Sequence, residues 1–264
     1  GSIDAAVNYK AIQTTGINST GILAQSIAGG GGFTGRTAGN ALTLGATIAG
    51  NSTSNAGDVK LTNNGSINTF GVSTAAIIAQ SIGGGGGASA TSAGDTIRLG
   101  AISTATGTGS LPTVQSGNVS VTNTQNLGTN ALGSVGLLAQ SIAGGGGYIA
   151  QSGNKNEYSV VYGSNGGFNA AAGDVTVNNT GSQITTTANS SPTLVSQSIG
   201  GGGGFALLTG SGAGTTQLGS RNNSGTSTAG NVDVTVRSIL QTRGEFSTAL
   251  TAQSIGGGGG YTGS

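Results

Sequence analysis

The chain has 264 residues, of which 55 are glycine and only 6% are charged, with a formal net charge of +1. His, Cys, Met and Trp are absent, which excludes disulfides, thiolate metal sites and cysteine or histidine nucleophiles. Low charge combined with a 34% hydrophobic share departs from the composition of disordered chains and indicates a folded chain of small side chains.

Five copies of Gln-Ser-Ile punctuate the chain. They stand at Gln25-Ser26-Ile27, Gln80-Ser81-Ile82, Gln140-Ser141-Ile142, Gln197-Ser198-Ile199 and Gln253-Ser254-Ile255, spaced by 55, 60, 57 and 56 residues. A fixed period of this size marks a repeat architecture. The chain reads as one repetitive domain over 1–264, with repeats at about 3–33, 34–88, 89–148, 149–205 and 206–261. Gly1-Ser2 is read as an expression scar and the whole as a piece of a longer array.

In chain order, unit one keeps the frame loosely from Asp4. From unit two on, each repeat opens with alternating β-branched and polar residues: Val59-Leu61, Val119-Val121, Val175-Val177 and Val232-Val234-Val236. Period two predicts half-buried strands with Val inward. Gly57, Gly117, Gly173 and Gly230 precede them, and the adjoining Asp or Asn predicts a turn held by an Asx hydrogen bond. A second strand is expected at Ile67, matched to Ile12, Leu127, Ile184 and Ile239. A third is expected at Ile77-Ile78-Ala79, matched to Ile22-Leu23-Ala24, Leu137-Leu138-Ala139, Leu194-Val195-Ser196 and Leu250-Thr251-Ala252, and it ends in the repeated Ile.

Glycine runs follow at Gly29–Gly32, Gly83–Gly87, Gly144–Gly147, Gly200–Gly204 and Gly256–Gly260, and an aromatic follows four of them: Phe33, Tyr148, Phe205 and Tyr261. Constant register and a trailing anchor distinguish these runs from flexible linkers; they are expected to be ordered, as packed backbone or extended strands. Beyond them, Leu42-Leu44, Ile97-Leu99, Val160-Tyr162 and Leu218 precede glycines at 45, 100, 163 and 219. These variable stretches suggest two or more coils per repeat. At ~20 residues per coil and about 4.8 Å per rung, the chain would form a rod roughly 60 Å long. Helix is disfavoured throughout, since glycine costs about 1 kcal/mol per helical position.

Chemistry-bearing constellations are sparse. The acidic residues are Asp4, Asp58, Asp95, Glu157, Asp174, Asp233 and Glu245; stacking of distant coils leaves a paired-carboxylate glycosidase open in principle, though catalysis has little support in the sequence. Glu157, beside Lys155 and Tyr158, reads as part of a solvated loop. The glycine runs hold no interleaved Asp for calcium and none ends in a phosphate-loop Lys. The expectation is a non-enzyme without cofactor or metal, with no basic patch for nucleic acid and no stretch long enough for a membrane helix.

The unit Gly57-Asp58-Val59 … Asn64-Gly65 … Ile67 … Ala79 through Gly87, with Gly173-Asp174-Val175 and Ser196 through Gly204 as a second copy, resembles the glycine-rich repeats of bacterial autotransporter passengers. The resemblance covers essentially the whole chain. It implies a right-handed parallel β-solenoid, displayed at the cell surface through a C-terminal outer-membrane barrel, and often adhesive and associated with virulence. The function expected from it is a structural stalk or adhesive segment that promotes cell–cell or cell–surface attachment. Its partners would be other copies, host surfaces or abiotic surfaces. Adhesion is expected in the variable segments Asn154–Tyr162 and Leu111–Ser116, and the glycine runs are expected to join coil to coil or molecule to molecule. The alternative is a glycan- or ice-binding solenoid, for which Thr14-Thr15 and Thr185-Thr186-Thr187 hint at hydroxyl ladders.

Overall fold

The computed structural model describes residues 1–8, 10–36, 42–92, 96–105, 110–152, 157–209, 213–221 and 224–263. It is an all-β parallel solenoid, with no helix among the described residues. Each repeat makes one coil. Equivalent residues of successive repeats pair directly, as in Val59↔Val119↔Val175↔Val232. The expectation of two or more coils per repeat is therefore corrected, and at about 4.8 Å per rung the described stack stands ~24 Å high rather than 60. The short apolar segments after the glycine runs are additional walls of the same coil.

Those walls form seven parallel sheets, taken here in chain order around the coil. In coil two they pass through Val59–Asn64, Ile67–Thr69, Ala75–Ile82, Gly86–Ser92, Thr96–Leu99, Ile102–Ser103 and Thr113–Gln115. The first four sheets carry five rungs each, the fifth and seventh four, and the sixth two, extended by bridges through Asn165 to Arg221.

The coil is layered rather than hollow. Val59, Leu61 and Ile67 of the first two sheets pack against Ile77 and Ala79 on one face of the third. Ile78, on its opposite face, joins Ala88 of the fourth sheet. The reverse of the fourth sheet, through Ile149 and Ala206, packs on Ile97, Leu99, Val160 and Tyr162 of the fifth. A parallel strand covered on both faces loses the polar alternation of a surface strand, which explains why Ala75–Ile82 is buried throughout.

Two details differ from the sequence reading, the place of Ile239 and the strand at Glu157. Leu240, not Ile239, pairs with Ile184, and Ile239 is exposed: Leu240 stands eight residues after Val232, the offset that Ile67 keeps from Val59 and Leu127 from Val119, whereas the fourth unit carries one extra residue before Ile184. Gly1 and Ser2 take rung positions: Gly1 O accepts from Ser26 Oγ at 2.8 Å and Ser2 Oγ from Asp58 N at 3.2 Å. Glu157 lies in a strand, Glu157–Tyr162, not in a loop; Lys155 and Asn154 lie outside the described residues. Of the two segments expected to be adhesive, Val160–Tyr162 is core and Thr113–Gln115 is a wall strand. These described parts are held by the coil they were expected to interrupt.

Candidate functional site

The Gln-Ser-Ile motif closes the third strand, whose side chains alternate between two buried faces. Gln and Ile point toward the fourth sheet and Ser toward the turn that opens the first. Nε2 of Gln25 donates to Gln80 Oε1 at 2.6 Å, Gln80 to Gln140 at 2.6 Å, Gln140 to Gln197 at 2.7 Å and Gln197 to Gln253 at 2.7 Å. An amide at each rung donates and accepts at once, so a continuous ladder satisfies buried groups that would be costly if alone. Ile82, Ile142 and Ile199 are fully buried. In coil five the Ile255 side chain lies over Gly259, within 3.6 Å of where a β-carbon would stand.

The motif serines of the first four coils each bridge two coils. Ser81 Oγ donates to Gly57 O (2.9 Å) and accepts from Gly117 N (2.8 Å). Ser141 joins Gly117 to Gly173, and Ser198 joins Gly173 to Gly230, with the same polarity. The glycines before the first strand are therefore fixed by the motif serine. Asp58 Oδ1 accepts from Asn118 N (2.7 Å), Asn118 Oδ1 from Asp174 N (2.8 Å) and Asp174 Oδ1 from Asn231 N (2.7 Å). The Asx bond expected within the turn thus runs to the next coil. Asp and Asn alternate along this row, so no two carboxylates occupy adjacent rungs.

A second amide ladder, Asn63 Nδ2 to Asn123 Oδ1 (2.7 Å) and Asn123 Nδ2 to Asn179 Oδ1 (2.6 Å), lines the corner between the first two sheets. Thr14, Thr69, Thr129, Thr186 and Thr242 pair in register, so threonine does recur at one fixed offset in all five units, a ladder distinct from the Thr-Thr clusters that the sequence suggested. Thr69, Thr129 and Thr186 are buried, so this ladder points inward and offers no outward hydroxyl row.

The glycine runs turn the chain from the third to the fourth sheet. Gly86, Gly146 and Gly203 have φ of 131°, 141° and 144°, a region that side chains rarely enter. A β-carbon on Gly146 would lie 1.7 Å from Gly203 O, and one on Gly87 1.9 Å from Gly32 O. Backbone bonds close the elbow internally: Gly146 N donates to Gly85 O and Gly203 N to Gly145 O, both at 3.0 Å. The glycines ahead of the sixth sheet pack here too, with the Gly100 α-carbon 2.7 Å from where a Gly145 β-carbon would lie. The interior runs are joints between coils of one molecule.

Behind each elbow stands the aromatic position. Tyr148 and Phe205 stack at 5.8 Å, Phe205 and Tyr261 at 5.2 Å. Tyr261 Oη lies 3.2 Å from Thr248 Oγ1, whereas Tyr148, whose residue belongs to the apolar cluster with Ala75, Val135 and Leu138, has a buried Oη with no partner among the described residues. Burial raises the Tyr148 hydroxyl pKa well above its ordinary value; Tyr162 is raised by burial and then by Tyr148. Both raised values mean that the folded state holds its protons longer than the unfolded one. Their stabilising effect is complete below pH ~10 and declines as pH rises above it, by at most about 1.4 kcal/mol per pH unit per tyrosine. Tyr148→Phe is expected to add about 1 kcal/mol at neutral pH by removing an unpaired buried hydroxyl, and to make the alkaline decline shallower. Urea titrations at neutral and alkaline pH would check both; an unchanged alkaline slope would rule out Tyr148 as a contributor.

Among the described residues there is no cluster of three or more His, Cys, Asp or Glu suited to a metal, and no helix long and apolar enough to cross a membrane. The fifteen motif residues are brought into three parallel ladders whose polar groups are engaged with one another or with backbone. What they do chemically is hold coil to coil. No protein-family model, curated protein or solved structure matches the chain.

Proposed function

We propose that the chain is a non-catalytic adhesive or structural segment of a surface-displayed passenger. The supporting observation is that the repeated polar residues bind coil to coil, which leaves the outward faces of the wall for attachment. One coil per repeat also bears on the choice between stalk and adhesive. Each repeat advances the stack by only ~4.8 Å, so chain is spent on width and internal layering rather than on reach. That economy favours a stiff, broad wall with a contact role over a long spacer. Cell-surface display through an outer-membrane barrel, and partners among other copies, host surfaces or abiotic surfaces, come from the sequence resemblance.

Beads coated with the purified chain are expected to attach to epithelial cells, to plastic or to one another above beads coated with an unrelated solenoid. Attachment equal to that control on all three would remove the adhesive role.

A further inference from the structure

We infer that the turn between the second and third sheets is a binding platform for an uncharged glycan, with Phe70 at its centre. The inference rests on the adhesive reading and names what that reading would attach to. Phe70 belongs to an interior coil, yet 47% of it is exposed. Backbone bonds set its neighbours: Phe70 N donates to Thr14 O at 2.9 Å and Asn130 N to Thr69 O at 3.0 Å. Thr15 therefore lies one rung to one side of the ring and Asn130 one rung to the other, both exposed. Asn68, two residues back along the strand, is exposed as well. On the same turn Leu132 is 37% exposed and in register with Val72.

The chemistry of this corner matches a sugar better than other ligands. A pyranose has an apolar face of C–H groups and a rim of hydroxyls. An exposed phenyl ring offers the first an apolar surface, and amides and a hydroxyl about 4.8 Å to either side offer the second donors and acceptors. The turns 15–18, 70–73 and 130–133 carry no charge, which points to a neutral glycan over a sulfated or carboxylated one. Phe246 occupies the same turn in coil five and is exposed, but it follows Glu245 and lies near Arg243; it serves as an internal control.

The 264-residue chain would be screened on immobilised uncharged oligosaccharides of glucose, galactose and N-acetylhexosamines, and the strongest binder measured by calorimetry. Phe70→Ala is expected to weaken binding about tenfold, the order of one aromatic contact. Phe70→Trp should restore it, Phe246→Ala should leave it unchanged, and raising salt should change it little. Melting curves of the variants should superimpose, since the ring is exposed. Absence of any retained glycan, binding indifferent to Phe70→Ala, or capture only on apolar beads would each overturn the proposal. Bead attachment that persists in Phe70→Ala would leave the adhesive reading standing while removing this site.

Discussion

Gly203→Ala is expected to destabilise the chain by about 3–5 kcal/mol, enough to leave a marginal solenoid largely unfolded. Two costs combine. The residue sits at φ 144°, where a side chain is strained, and its β-carbon would stand 1.7 Å from the carbonyl oxygen of Gly259 in the next coil. That oxygen is backbone and cannot swing aside. Gly32→Ala separates the two costs: it has φ 147° but nothing within 4 Å of the added carbon, so it should lose only the conformational part, about 1–3 kcal/mol. Guanidinium denaturation of both variants, with sedimentation to confirm dilute monomer, measures the difference. Equal losses would mean that coil-to-coil glycine contact contributes nothing beyond backbone conformation.

Ile82→Asp should cost at least about 4 kcal/mol. Ile82 is fully buried at the end of a strand covered on both faces, where the neighbouring amides are already engaged in the glutamine ladder. A carboxylate there has neither water nor counter-charge, and it would protonate or open the coil. Asn178→Asp, which adds the same charge at an exposed position of the first sheet, should change stability by less than about 0.5 kcal/mol. Thermal melts of the two variants within a degree of each other would refute the inward placement of the motif isoleucine.

Much of the fold was legible in the chain because parallel in-register stacking repeats each rung's environment. Gln80 sits on Gln140 and Gln140 on Gln197, and a side chain that satisfies its neighbour by identity must recur at a fixed period. The Val alternation of the first sheet and the constant offset of the glycine runs follow from the same rule, so strands, turns and ordered glycine could be read directly. The roles of the three motif residues could not. Adjacent positions on a strand face opposite ways, and both faces of this strand are covered, so the polar-apolar alternation that would have separated the faces of a surface strand does not assign glutamine and serine to theirs.

The number of coils per repeat was decided only by tertiary structure. A period states that equivalent residues are a whole number of coils apart, and short apolar segments such as Ile97–Leu99 and Val160–Tyr162 satisfy that equally as a second coil or as a further layer of the first. The glycine elbow settles it: without β-carbons the chain can reverse within a few residues and lay the fourth sheet against the third, and the fifth against the fourth. The exposure of Phe70 was likewise outside the reach of pattern, because one aromatic among Thr15, Asn130, Thr187 and Arg243, which hold the same position on the other rungs, has no periodicity to betray it. Repetition, in this chain, determined by itself what lies on top of what; which wall faces which, and what is left facing water, depended on packing within a single coil.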